Sequence, residues 1–211
     1  IRCLPAPAAE NMAVDEALLV SVLHGGPPVL RLYQWSRPSF SVGRFQQVHA
    51  VLDEDACRQS GGEVVRRPTG GGVLLHGDEI TYAVVCRQDA LGLGGGVQQS
   101  YRRLCSFLLV FYRQAGIPAG FAQDDGGIPL RVGTGICCAG REKHDIVVRG
   151  KKIGGNAQRR AGNCILQHGA VPRSLRFDLM RRCVRGFTAE MEQTATSLSG
   201  ELGAAPSLDS V

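Results

Sequence analysis

Two short runs in this 211-residue sequence carry residue types suited to acyl transfer. The first is Arg66-Arg67-Pro68-Thr69-Gly70-Gly71-Gly72, followed by His76, and the second is Gly150-Lys151-Lys152-Ile153-Gly154-Gly155-Asn156-Ala157-Gln158. Three consecutive glycines after a strand-like Glu63-Val64-Val65-Arg66 leave no side chain between backbone N–H groups and a neighbouring carbonyl or phosphate oxygen. A lysine held near a thioester or mixed anhydride donates to the developing oxyanion and promotes thiol ionisation. Strand alternation turns Lys151 and Lys152 to opposite sides, so a pocket receives one and solvent the other. The bland alternative is a glycine hairpin with two solvated lysines, and the adjoining Gly154-Gly155-Asn156-Ala157-Gln158 weighs against it.

A lysine of this kind asks for a thiol. Eight cysteines are scattered along the chain without a CxxC pair or compact even spacing, so neither a disulfide framework nor a structural zinc site is expected. A cation beside a loop cysteine stabilises the thiolate, whereas apolar surroundings leave a thiol inert. Cys137 and Cys138 are the rival candidates by that logic. Cys3, Cys57, Cys86, Cys105 and Cys183 lie in helix or strand patterns or at the terminus and read as packing residues, and Cys164 is treated as core. His76 and His168 flank the expected pocket, where a structural role weighs about as much as a catalytic one, because a Cys/Lys mechanism requires no histidine base. His144 reads as a surface residue, and no metal ligand is assigned.

Elements must position these groups. Asn11 to His24 reads as a capped amphipathic helix closed by Gly25-Gly26-Pro27-Pro28. Short strands are expected at Val29 to Tyr33, Ser39 to Val42, Glu63 to Arg66, Gly72 to His76 and Ile80 to Val85. Helices are expected over Val51 to Ser60 and Val97 to Ala115. Asp145 to Ile153 reads as a hairpin turning at Arg149-Gly150, which places Lys152 on the return strand, with Cys164 to His168 as a neighbouring strand. The Gly- and Asp-rich Gln123 to Gly135 reads as a mobile loop over the site, and Leu175 to Val184 and Thr188 to Leu202 as two further helices.

The length suits one catalytic domain spanning residues 1 to 211, with a less defined helical region from about 173. No window approaches ~18 uninterrupted apolar residues and no signal segment opens the chain, so a reducing cytoplasm is expected and a membrane is not. The excess of 24 basic over 19 acidic residues, a net charge of +5, suits an acidic macromolecular partner. Nucleic acid is not expected, because the arginine pairs are dispersed and few aromatics lie between them.

Residues 66 to 76, 150 to 160 and Leu166-Gln167-His168-Gly169 together resemble the three signature segments of the lipoate-protein ligase, octanoyltransferase and biotin-protein ligase superfamily. Asn11 to Leu19 and Ser41 to Gln46 extend the likeness, which runs from about Asn11 to Pro172. The resemblance implies an α/β (α+β) fold, a mixed and largely antiparallel sheet flanked by helices. It implies that Lys152, at the second position of its pair, is the functional lysine. It also places the nucleophile of the cysteine-dependent octanoyltransferases at Cys137, fifteen residues ahead, with Cys138 as rival. Substrate contacts are implied at Arg67, Thr69, Gly70, Gly71, Gly72, His76, Gly154, Gly155, Asn156, Ala157, His168 and Gly169. The implied reaction moves an octanoyl or lipoyl group from acyl carrier protein to a lysine of a lipoyl-domain protein, such as glycine cleavage H protein or a 2-oxoacid dehydrogenase E2. It needs no cofactor, since a thioester is already activated. An ATP- and Mg-dependent lipoate-protein ligase is the first alternative, and a non-catalytic acyl- or carrier-binding module the second.

Overall fold

The first helix begins earlier than the sequence pattern suggests. In the computed structural model, which describes residues 1–92, 96–124, 135–137, 140 and 142–207, α1 (Ala8–Leu23) starts directly after Pro7, whose φ of −58° is already suited to a helix entry. Its buried positions Asn11, Met12, Asp15, Leu19 and Val22 recur every three or four residues and form one face. That face packs with Tyr33, Trp35, Ala83, Val85 and Leu166 on the principal sheet.

This sheet has the order β1 (Val29–Tyr33), β5 (Glu79–Arg87), β10 (Cys164–Pro172), β9 (Gly155–Ala161), antiparallel throughout. Every residue of β10 is buried. Cys164 and Leu166 point into the α1 core, while Ile165 packs with Leu104 of α4 (Val97–Gln114), so both faces are covered and polar alternation is lost.

A second sheet carries Lys152. Its order is β11 (Ala195–Thr196), β8 (Lys151–Ile153), β7 (Ile146–Val148), β6 (Gly120–Phe121), and only the β11–β8 pair is parallel. The β7–β8 hairpin turns on Arg149 (φ 47°) and Gly150 (φ 78°), both left-handed, as a two-residue turn of right-handed twist demands. A third sheet, β3 (Glu63–Arg66), β2 (Ser39–Val42), β4 (Leu74–His76), packs Phe40 and Val42 against Leu179, Met180 and Cys183 of α5 (Phe177–Cys183).

Three sequence expectations are corrected. Val51 to Ser60 is not one helix: α2 (Val48–Val51) and α3 (Glu54–Gln59) are separated by buried Leu52 and by Asp53, whose carboxylate caps α3 through the Ala56 N–H at 3.0 Å. Thr188 to Leu202 is not one helix either, but α6 (Ala189–Glu192), β11 and α7 (Leu198–Leu202), the last capped by the Ser197 hydroxyl. The strand that follows the glycine-rich signature, β10, pairs with β9 and β5 rather than with the lysine hairpin, whose open edge is taken by β11. The expected Gln123 to Gly135 loop falls largely outside the described residues, as does Cys138.

Candidate active site

Alternation on β8 separates the paired lysines as expected: Lys151 is exposed and Lys152 is only 8% exposed. The Lys152 backbone N–H donates to the Thr194 carbonyl at 2.8 Å, so the C-terminal β11 segment fixes the strand from its outer side. Around the ammonium nitrogen stand the Asp145 carboxylate at 2.9 Å, the Cys137 carbonyl at 3.1 Å, the Gly140 carbonyl at 3.5 Å and the Cys137 sulfur at 3.8 Å. Burial pulls the lysine pKa down, but the negative charge available at Cys137 and Asp145, with Glu142 beyond, outweighs it and raises the pKa above its ordinary value. The residue is therefore a cation throughout the physiological range.

Cys137 is held from two directions. Ile136 beside it is buried in the core with Phe40, Val42, Val73 and Leu179. Reciprocal hydrogen bonds, Val73 N–H to the Gly135 carbonyl at 2.8 Å and Cys137 N–H to the Val73 carbonyl at 3.0 Å, tie its segment to the glycine loop. Gly72 and Gly155 make this approach possible. A Cβ on Gly72 would stand 2.7 Å from the Cys137 nitrogen, and one on Gly155 would stand 2.9 Å from the sulfur. The other described cysteines differ. Cys57, Cys86, Cys105, Cys164 and Cys183 are buried, and burial pushes the Cys57 and Cys105 thiols up to about 12. Cys3 is half-buried beside the Arg31 guanidinium.

Arg67, an expected substrate contact, borders the smaller of the two cavities that meet at Cys137, and its guanidinium is bonded to the protein. Its N–H groups donate to the Ser41 carbonyl and hydroxyl and to the Gly70 and Gly72 carbonyls, at 2.7 to 3.2 Å. It shapes the glycine loop from beneath, and burial lowers its pKa against the opposing charge of Cys137. Thr69 is also inside, where its hydroxyl meets His168 Nε2 at 2.6 Å while His168 Nδ1 meets Asp15 at 3.0 Å. A carboxylate only accepts, so Nδ1 donates to Asp15, and the Thr69 hydroxyl partners the ring at Nε2. Asp15 in turn accepts from Arg31 at 2.7 Å and from Tyr33 at 3.0 Å. His76 makes a parallel relay between Glu79 and the Ser41 hydroxyl, with its ring stacked on Trp35 at 4.0 Å.

Two cavities meet at the cysteine. The larger, about 260 Å³, is bordered by Cys137, Lys152, Gly154, Leu179, Met180 and Thr196. The smaller, about 50 Å³, is bordered by Gly71, Asn156, Ala157, His168 and Gly169. Cys137, Gly155, His76 and Trp35 border both. Most sequence-derived positions therefore converge, while Thr69, Gly70 and Gly72 border neither cavity. Asn156 is oriented by the Tyr82 hydroxyl at 2.7 Å, and its carbonyl accepts from Tyr101 at 2.9 Å.

His144 is corrected: it is not a surface side chain. Both ring nitrogens are shielded between Tyr101 and Phe121 and find no hydrogen-bond partner among the described residues, and burial, aided by Arg102 and Lys143, lowers its pKa. Sequence reasoning also missed Asp145, Asp15, Glu79 and Trp35. Asp145 had a usable signal, since it lies just before the partner strand, two residues from the Val147 that pairs with Lys152 across the hairpin.

A family model described as the lipoyl protein ligase A/B catalytic domain matches residues 7–211. Similar curated proteins include the octanoyltransferase LipM of Moorella thermoacetica, 40% identical over 169 residues, covering 80% of this chain and 62% of that protein. The octanoyltransferase LipM of Carboxydothermus hydrogenoformans is 38% identical, covering 88% and 68% respectively. The chain thus spans about two thirds of the length of these relatives. Among solved structures, a putative lipoate protein ligase from T. acidophilum with bound lipoic acid superposes with a TM-score of 0.79 at 23% identity, covering 99% of this chain and 77% of that one, a likeness of fold.

Proposed function

The chain belongs to the lipoyl protein ligase A/B catalytic-domain family, and from that membership we propose that it is an octanoyltransferase of protein lipoylation working through a Cys137 acyl-enzyme. The observation that carries this reading is the buried Lys152 ammonium 3.8 Å from the Cys137 sulfur, where two cavities meet. A ligase that forms an acyl-adenylate has no use for a thiol at that point.

In the proposed cycle the Cys137 thiolate attacks the carbonyl carbon of an acyl thioester. The new C–S bond forms as the carrier's C–S bond breaks, and the carrier leaves as a thiol after taking up a proton. Lys152 supplies the positive charge that favours the thiolate and that meets negative charge on the carbonyl oxygen. A lysine amine of the acceptor then forms the amide and releases Cys137. The Arg67-shaped glycine loop borders the reacting carbon. The donor is an acyl carrier protein and the acceptor a lipoyl domain, glycine cleavage H protein or an E2, acting in the cytoplasm. Neither ATP nor Mg is consumed. Among the described residues no helix is long and apolar enough to cross a membrane.

Incubation with octanoyl-carrier thioester without ATP or Mg, followed by intact-mass measurement, tests the reading. The expected product is an octanoyl adduct that maps to Cys137 and disappears on adding a lipoyl domain. An adduct appearing only with free acid, ATP and Mg would replace the reading with a ligase.

A further inference from the structure

We propose that Asp145 is the positioning residue of this site: its carboxylate fixes Lys152 in the charged form against Cys137, so that Lys152 is a permanent donor and not the base that frees the acceptor amine. This rests on the Cys137 acyl-enzyme reading given above.

Asp145 sits immediately before β7 and is 4% exposed. Its backbone is held on both sides, by its own N–H to the Glu142 carbonyl at 3.1 Å and by the Ala122 N–H to its carbonyl at 2.8 Å. The carboxylate accepts the Glu142 N–H at 2.8 Å and the Lys152 ammonium at 2.9 Å. An ammonium has three N–H donors, and four acceptors crowd this one. Asp145 and the Cys137 carbonyl are the nearest, so together they set where the remaining donor points. The Gly140 carbonyl at 3.5 Å and the Cys137 sulfur at 3.8 Å are left to that donor, and an oxyanion on a carbonyl bound to the sulfur would compete for it.

The charged state has the same origin. Among the described residues, the titratable groups facing the ammonium are Cys137 and Glu142 from the preceding loop and Asp145 from the β7 side, whereas β11 presents uncharged Ala195 and Thr196. His76 and Glu79 across the larger cavity are paired with each other, and Lys151 faces solvent. Without Asp145, the burial that opposes the charge remains, Cys137 is left as the main counterweight, and the charge and hydrogen bond of Asp145 go, so the lysine pKa falls. With Asp145 present, Lys152 holds no vacancy for a proton. The acceptor ammonium must lose its first proton to solvent before attack. The amine then forms the C–N bond, the C–S bond breaks with its electrons going to sulfur, and the surplus proton on nitrogen passes to that sulfur or to solvent.

The test follows acyl-enzyme formation from a small octanoyl thioester of N-acetylcysteamine, read by rapid-quench intact mass between about pH 6 and about pH 10. The wild-type rate is expected to show no fall at the basic end. Asp145→Asn is expected to lose on the order of 10²-fold at neutral pH, as misplaced catalytic groups do, and to fall further as pH rises and Lys152 loses its proton. Asp145→Glu should recover part of the rate and remove the basic fall. A wild-type rate in Asp145→Asn, or a lowered rate with an unchanged pH profile, overturns the proposal. Should Asp145→Asn fail to fold, the wild-type arm decides, because a basic-limb loss in the native enzyme contradicts a permanently charged lysine. No adduct from the wild type at any pH is instead a failure of the acyl-enzyme reading.

Discussion

Two buried aspartates, one linked to the glycine loop through His168 and the other paired with Lys152, do different work. Asp15, fully buried beneath the glycine loop, is saturated: Arg31, Tyr33 and His168 all donate to it, and His168 passes the restraint on to Thr69. Asp145 shares its lysine with carbonyls and a sulfur at longer range, so among the described residues the cluster has one acceptor more than the ammonium has donors. A closed network fixes a shape. An open one leaves a donor to be claimed as charge moves during reaction, and its position beside a cavity lets substrate make that claim. Arg67 belongs with the first kind and Lys152 with the second, although both are buried cations near Cys137.

Substitutions can break or sharpen this contrast. The largest effect is expected at Cys137, where Cys137→Ser should abolish adduct formation while the thermal melt stays near that of the wild type, since the thiol borders cavities rather than filling a core. Full activity in that variant would move the chemistry elsewhere. Lys152→Ala should cost ~10² to 10³ in rate, the usual loss for one preorganised oxyanion donor, and Lys151→Ala should do little by the same assay. Equal mild effects would mean that the open network is a surface feature. On the closed side, Asp15→Ala should cost about 3–5 kcal/mol in urea unfolding, because it leaves Arg31 buried without its charge partner. A variant as stable as the wild type would show that the network beneath the loop is not structural. Gly155→Ala should give the smallest of the activity losses, since the new methyl crowds the sulfur at 2.9 Å and nothing charged is removed.

The signatures that do chemistry were legible because they rest on local rules: glycines where no Cβ fits, alternation that buries Lys152, and a two-residue turn at Arg149-Gly150. The principal strands and α4 were legible for the same reason. What escaped was non-local. Nothing in Ala195-Thr196 marks a strand, because two residues have no periodicity and their pairing partner lies more than forty positions earlier. The part Arg67 plays in holding the glycine loop also escaped, because sequence does not show the four loop and strand oxygens around its guanidinium. His144 was misplaced because its cover comes from α4 and β6, two elements distant in sequence. The α2–α3 break was in principle readable, since Asp53 followed by Glu54 and Asp55 is a helix-start signal.

The parallel pairing of β11 with the lysine strand bears on where the smallest working unit of this fold ends. The last recognisable signature closes at Pro172, and a protein engineer cutting there would discard Thr194, whose carbonyl receives the Lys152 backbone N–H, and Thr196, which walls the larger cavity. The strand that carries Lys152 would become a bare edge, its hydrogen-bonding row open to any passing chain. Such a trimmed protein would keep every signature residue and would be prone to self-association through the very strand that carries its lysine.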